Sequence, residues 1–339
     1  MLHFVFMCLA VFLVTFFSIL LFRPLAIHID LVDSPGIRKL HQGDIPKVGG
    51  IAMLVGFLVG MLMLHDFLLN YEALFASVAI LALLGFFDDF CDIRAGKKFL
   101  TQVFAATLMV VVGRTYLSSL GNIFFIGNIS LGWFGVPVTI IAVVAGINAI
   151  NMLDGVDGLM GSVSLIQFTY LAIIAFLAKD ISDLKILMVI ISCLTGFLFF
   201  NFPLSNRRLK VFAGDMGTMF VGILLMWFVI RLSQMPGARL VIFLWIIAVP
   251  LFDLLNVVCR RLRQKKSPFG ADREHLHHML QNAGFRDRQV VLIIAGCAIT
   301  MGLVGIISSV LPISEGVLFF LYIFILVTYL CRFGYLCRD

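Results

Sequence analysis

This 339-residue chain has little charge: 13% of its residues are Asp, Glu, Lys or Arg, against 61% apolar. Soluble domains run nearer about 45–50% apolar, so a soluble globular domain is excluded. The seven cysteines are odd in number, scattered and mostly inside apolar runs, with no CxxC pair, which argues against a disulfide framework. No GxxxxGK[ST] loop is present, so the chain is no P-loop ATPase. Neither an HExxH pattern nor a Cys-rich set supplies a tetrahedral zinc site. No internal repeat supports the inverted-repeat plan of many transporters. The net charge of +6 comes with no nucleic-acid recognition motif, so no nucleic-acid partner is expected.

What is present is apolar length. Stretches long enough to cross a bilayer as helix number about eleven: 4–22, 48–65, 72–87, 99–114, 136–151, 159–178, 184–203, 214–232, 238–258, 289–310 and 316–333. The expectation is an all-α polytopic membrane protein, read as one integral membrane domain over 1–339. About 20 of the 25 Lys and Arg fall in one alternate set of loops, and basic loops stay cytoplasmic. This puts the N-terminus outside and the C-terminus inside. No basic residue precedes the first span and no small-residue cleavage site follows it, so it is not read as a cleavable signal peptide. Segment 115–135, with alternating apolar residues and glycines, reads as a small outer hairpin; its Asn128-Ile129-Ser130 is a weak sequon match.

The polar residues gather at the inner helix ends, in "DSPGIRKLHQGDIPKVGG", "DDFCDIRAGKK", "NAINMLDGVDGL", "NRRLKVFAGDMGT" and "RRLRQKKSPFGADREHLHH". A transporter would place ionisable groups near the bilayer midplane instead; of the few acids inside a span, Asp253 reads as a buried group near the inner helix end. Five loops supplying Asp, Asn, His, Lys and Gly to one membrane face describe a surface active site. Asp88 and Asp89 have a plain reading as a helix end meeting water; with Asp92 one turn on, three carboxylates would gather and favour a cation. Asp154 and Asp157 fit a helix-capping role, which does not account for Asn148 and Asn151 beside them. His275, His277 and His278, near Arg273, suit phosphate or base hydrogen bonding, and Arg261 sits in a run that also serves topology. Basic groups beside carboxylates imply an anionic, phosphorylated ligand bridged by a divalent cation. Magnesium, held by one or two protein oxygens and substrate phosphates, fits that arrangement, and phosphoryl transfer is the matching reaction class.

The segments "DDFCD", "NAINMLDGVDGL", "VFAGDMGT" and "SPFGADREHLHH", in this order, resemble the polyprenyl-phosphate N-acetylhexosamine-1-phosphate transferases, over nearly the whole chain. The pattern His-Leu-His-His, where relatives in peptidoglycan synthesis carry three consecutive histidines, points to the N-acetylglucosamine branch. Thr218 stands where the family more often has Ser, and the hydroxyl is kept. The resemblance implies that undecaprenyl phosphate attacks the β-phosphorus of UDP-N-acetylglucosamine and releases UMP, at the bacterial inner membrane. The lipid-linked sugar would begin O antigen, enterobacterial common antigen or a related surface polysaccharide; another UDP-N-acetylhexosamine is the alternative donor. It further implies Asn151 and Asp215 as Mg2+ ligands, with Mn2+ as a substitute, and Asp88, Asp89, Asp154 and Asp157 as catalytic. Lys47, Asn148, Asp92, Arg261, Arg273, His275, His277 and His278 are then substrate contacts. A homodimer is left open.

Overall fold

The computed structural model describes residues 2–34, 43–64, 71–203, 209–266 and 275–335. They form thirteen α-helices and one two-stranded ribbon: α1 Leu2–His28, β1 Val32–Asp33, β2 Ile45–Pro46, α2 Gly49–Met63, α3 Glu72–Cys91, α4 Ala95–Val111, α5 Gly135–Leu153, α6 Leu159–Leu177, α7 Ile181–Asn201, α8 Gly214–Ser233, α9 Leu240–Ile246, α10 Ala248–Arg263, α11 Leu276–Asn282, α12 Asp287–Val310 and α13 Glu315–Tyr335. A helix or helix pair stands at each of the eleven expected spans. Among the described residues eight helices are long and apolar enough to cross a membrane, α9 with α10 make a ninth if counted together, and α2 is a shorter apolar helix. The protein is an all-α, multi-pass membrane protein with a short ribbon added.

Helix α8 is the axis. Its stretch Met216–Ile230 is apolar on every side apart from Gly217, Thr218 and Gly222, and all of it is buried, as a helix lacking a polar face must be. It packs on α2, α3, α5 and α6. Close approach needs small residues, since bilayer helices associate through van der Waals contact rather than exclusion of water. A Cβ at Gly85 of α3 would lie 2.4 Å from Met216 Cα, so only glycine fits there. Peripheral α1 and α13 have few buried residues, the pattern of lipid-facing helices.

The α9–α10 junction bends by 77°. Pro250 lacks the N–H that would bond Ile246 O four residues back, and its ring crowds that carbonyl. The freed Ile246 carbonyl accepts instead from Gln167 Nε2 of α6 at 3.3 Å. At the pole formed by the starts of α3 and α7 and the end of α8, Asp183 is fully buried and accepts from Tyr71 Oη at 2.5 Å and from Arg231 Nε at 2.8 Å. Beyond that pole, Leu120 N–H donates to Ile129 O at 2.9 Å. This makes the hairpin read from the sequence, and it carries the exposed Ile126 and Trp133.

Candidate active site

The other pole gathers segments distant in sequence. β1 pairs antiparallel with β2, Asp33 opposite Ile45. Phe212 N–H donates to Pro46 O at 2.9 Å, and Gly49 N–H to Phe212 O at 2.9 Å. This ladder sets Asp33, Lys47 and Phe212 around a cleft of about 330 Å³, which Asp89, Asn151, Asp154, Asp157, Asp215 and Thr218 also line. Asn201 ties two of the walls together: Oδ1 accepts from Gly158 N at 2.8 Å and Nδ2 donates to Val211 O at 2.9 Å.

Asp89 caps α8. Its carboxylate accepts from Asp215 N at 3.0 Å and Met216 N at 3.2 Å, satisfying N–H groups that a helix start leaves open. Gly214 turns the chain into that helix with φ +68°, where a Cβ would stand 2.4 Å from Asp89 Oδ2. Lys47 Nζ lies 3.5 Å from Asp89 Oδ1. Asp215, held by that cap, accepts from Asn151 Nδ2 at 2.7 Å, and the same amide donates to Thr218 Oγ1 at 2.8 Å. Asp157 pairs with Lys210 at 2.5 Å.

The remaining expected residues are distributed around this centre. Asp88 is buried behind the cleft, pairs with Lys98 and accepts from Ile93 N at 2.7 Å; Lys98 Nζ also lies 3.8 Å from Asp215 Oδ2. Asn148, one turn before Asn151, donates to Gln102 Oε1 at 2.8 Å and does not line the cleft. Asp92 ends α3 in the left-handed region, φ 46°, and is exposed. The three-carboxylate cation site expected of 88, 89 and 92 is therefore not formed: the three side chains diverge to Lys98, to α8 and to solvent. Among the described residues no trio of His, Cys, Asp or Glu is arranged to hold a metal ion. Arg261 is buried on α10, and Arg273 lies outside the described residues. His277 lies against the cleft wall, where a Cβ at Gly155 would be 2.1 Å from its Nε2. Burial, then the neighbouring His278, pushes His277 down to about 3, so it is neutral at ordinary pH.

Asp33, Lys98, Asn201, Lys210 and Phe212 joined no expected site set. Asp33, Lys98, Lys210 and Phe212 lie inside polar segments already singled out, where charge was the signal for all but Phe212; Asn201 closes an apolar run and gave none.

Among the described residues five carboxylates face the cleft, with Lys47 as the one lysine lining it and Lys98 and Lys210 paired at its edge. Burial, then repulsion from Asp215, Asp157, Asp89 and Asp33, pushes the Asp154 carboxyl well above the usual carboxylate range. Such a site repels a diphosphate unless a cation lies between. Asp215 and Asn151 match the sparse oxygen set Mg2+ takes when phosphates and waters supply the rest.

Residues 71–233 match the model of glycosyl transferase family 4. The chain is 35% identical over 310 residues to the undecaprenyl-phosphate α-N-acetylglucosaminyl 1-phosphate transferase of Yersinia pestis, covering 91% of this chain and 85% of that one. To the protein of the same name in Haemophilus influenzae it is 36% identical over 324 residues, 92% and 91% of the two chains. To that of Escherichia coli K12 it is 35% identical over 305 residues, 88% and 82%. At this identity over about nine-tenths of its length, the chain belongs to the family of undecaprenyl-phosphate α-N-acetylglucosaminyl 1-phosphate transferases.

Proposed function

We propose that the protein transfers N-acetylglucosamine 1-phosphate from UDP-N-acetylglucosamine to undecaprenyl phosphate, at the cytoplasmic face of a bacterial inner membrane. The observation that carries this reading is the cleft itself: five carboxylates, the amides of Asn151 and Asn201 and the Lys47 ammonium, from segments distant in sequence, meet at one pole of a helical membrane protein. An oxygen of the prenyl phosphate bonds to the β-phosphorus of the nucleotide while the bridging P–O bond to the α-phosphate breaks, and UMP leaves. The attacking phosphate has a second pKa near about 6, so no strong base is required. This agrees with the geometry of the two acids: Asp89 is committed to the α8 cap and Asp88 to Lys98 and Ile93. Both position the site, Asp89 by fixing Asp215 and Asp88 by anchoring Lys98 beside it.

Asn151 and Asp215 would hold Mg2+, which neutralises diphosphate charge when bound. Lys47 and Lys98 receive phosphate oxygens at the rim. Lys210 exchanges its Asp157 partner for the nucleotide, and Asp154 and Asp157 face the uridine. Eleven membrane passages, N-terminus outside and C-terminus inside, are supported by the basic-loop bias and by the gathering of Lys47, Lys98 and Lys210 with carboxylates at the cleft pole.

The test is UMP release by purified protein given undecaprenyl phosphate, magnesium and a UDP-sugar. Release with UDP-N-acetylglucosamine, together with a butanol-soluble sugar product, is expected. Release only with a different UDP-N-acetylhexosamine would replace the donor, and none with any of them from folded protein would overturn the reading.

A further inference from the structure

Asp253 is an acid inside an apolar stretch, 2% exposed, on α10 just past the Pro250 bend. It is not idle. Oδ2 lies 3.0 Å from His275 Nδ1, and Oδ1 accepts from Leu276 N–H at 2.8 Å. One carboxylate thus holds both the first histidine of the loop and the first backbone donor of α11. The His275 and His277 rings stack 3° from parallel with centroids 5.6 Å apart. His277 in turn is 2% exposed, and its Nε2, against Gly155, has no hydrogen-bond partner among the described residues.

We propose that Asp253 is a positioning residue that fixes the proton of His275 on Nδ1 and so holds the stacked His275–His277 pair against Gly155 at the wall of the cleft. A carboxylate can only accept, so the ring nitrogen facing it must carry hydrogen. The orientation and the available face of the imidazole are then set by the partner, as wherever a carboxylate orients a histidine. Buried apolar surroundings make this contact hard to exchange for water. The Pro250 bend matters here because it aims α10, and Asp253 with it, at the loop.

The role in turnover rests on the transfer reaction proposed above; the proton placement does not. Asp253→Asn keeps volume and one acceptor but cannot accept from both His275 Nδ1–H and Leu276 N–H, so His275 must move its proton to Nε2. Nitrogen-15 NMR of histidine-labelled protein in detergent, with His275 identified by its loss in His275→Gln, reads the tautomer. The wild type should show hydrogen on Nδ1, and Asp253→Asn should show it on Nε2. In the same variant the KM for UDP-N-acetylglucosamine should rise about ten- to hundredfold, with kcat and the KM for prenyl phosphate changing less. Bare Nδ1 in the wild type, or an unchanged nucleotide KM once the tautomer has switched, overturns the proposal. If Asp253→Asn does not fold, the wild-type spectrum decides alone. Failure of the wild type to release UMP counts against the reaction and leaves the tautomer result standing.

Discussion

Asp215 is the residue on which several contacts converge: its N–H is capped by Asp89, its Oδ1 accepts from Asn151 and its Oδ2 faces Lys98. Asp215→Asn keeps the shape but loses the charge opposite the cation. A charged hydrogen bond is worth about 1.5–3 kcal/mol, and a ligand bond to the metal adds to that, so turnover should fall more than about a hundredfold. Asn151→Asp adds a sixth carboxylate to a cleft that already pushes Asp154 up, so it should retain magnesium binding while raising the KM for the sugar nucleotide. A magnesium titration of UMP release in both variants, with folding checked by thermal unfolding, measures this. Full activity of Asp215→Asn with an unchanged magnesium dependence would remove Asp215 from the metal site. At this scale the polar segments at the inner helix ends were legible in the sequence, and the resemblance to the transferase family then singled out Lys47, Asp89, Asn151, Asp154, Asp157 and Asp215 within them. The sequence was uninformative about direction. Asp88, Asp89 and Asp92 are nearly adjacent in the chain yet face Lys98, α8 and solvent, and no periodicity predicts which helix a carboxylate will cap.

The elements that matter most are α3 and α8, because their contact sets the distance between the Asp88–Asp89 pair and Asp215. Gly85 Cα approaches the backbone of Met216 so closely that a single methyl must displace one helix. Gly85→Ala should cost about 1–3 kcal/mol as an overpacking substitution and lower the thermal midpoint in detergent. It should also reduce UMP release more than that loss of stability accounts for, since the α8 cap is disturbed. Leu83→Ala, two residues away on the exposed side of α3, is the control and should change neither. Equal behaviour of the two variants would show that the helix contact does not govern the site. The helices themselves were legible, because long apolar runs admit few alternatives in a bilayer. The β1–β2 ribbon and the α9–α10 bend were not: two-residue strands lie below any period, and Pro250 signals a break without giving its angle or its partner Gln167.

On the scale of the whole molecule, polar loops collect at two poles, one carrying the cleft and the other the Asp183 cluster. With the cleft pole cytoplasmic, exposed Cys91 should be labelled only by thiol reagents that reach the cytoplasm. A cysteine introduced by Ser182→Cys should be labelled in intact cells. Labelling of Ser182→Cys only after permeabilisation would invert the molecule. The Asp183 cluster also bears on how the chain is assembled. Asp183 reaches the bilayer edge on α7, but its counter-charge Arg231 arrives only with the last turn of α8, 48 residues later. Until then Arg231 is missing from the Tyr71–Asp183 contact, and a charge without its counter-charge is expensive away from water. An order of assembly that keeps the start of α7 at the aqueous surface until α8 is in place avoids that cost. The last-arriving arginine then locks the central helix at one end, while Asp89 holds its other end at the catalytic pole.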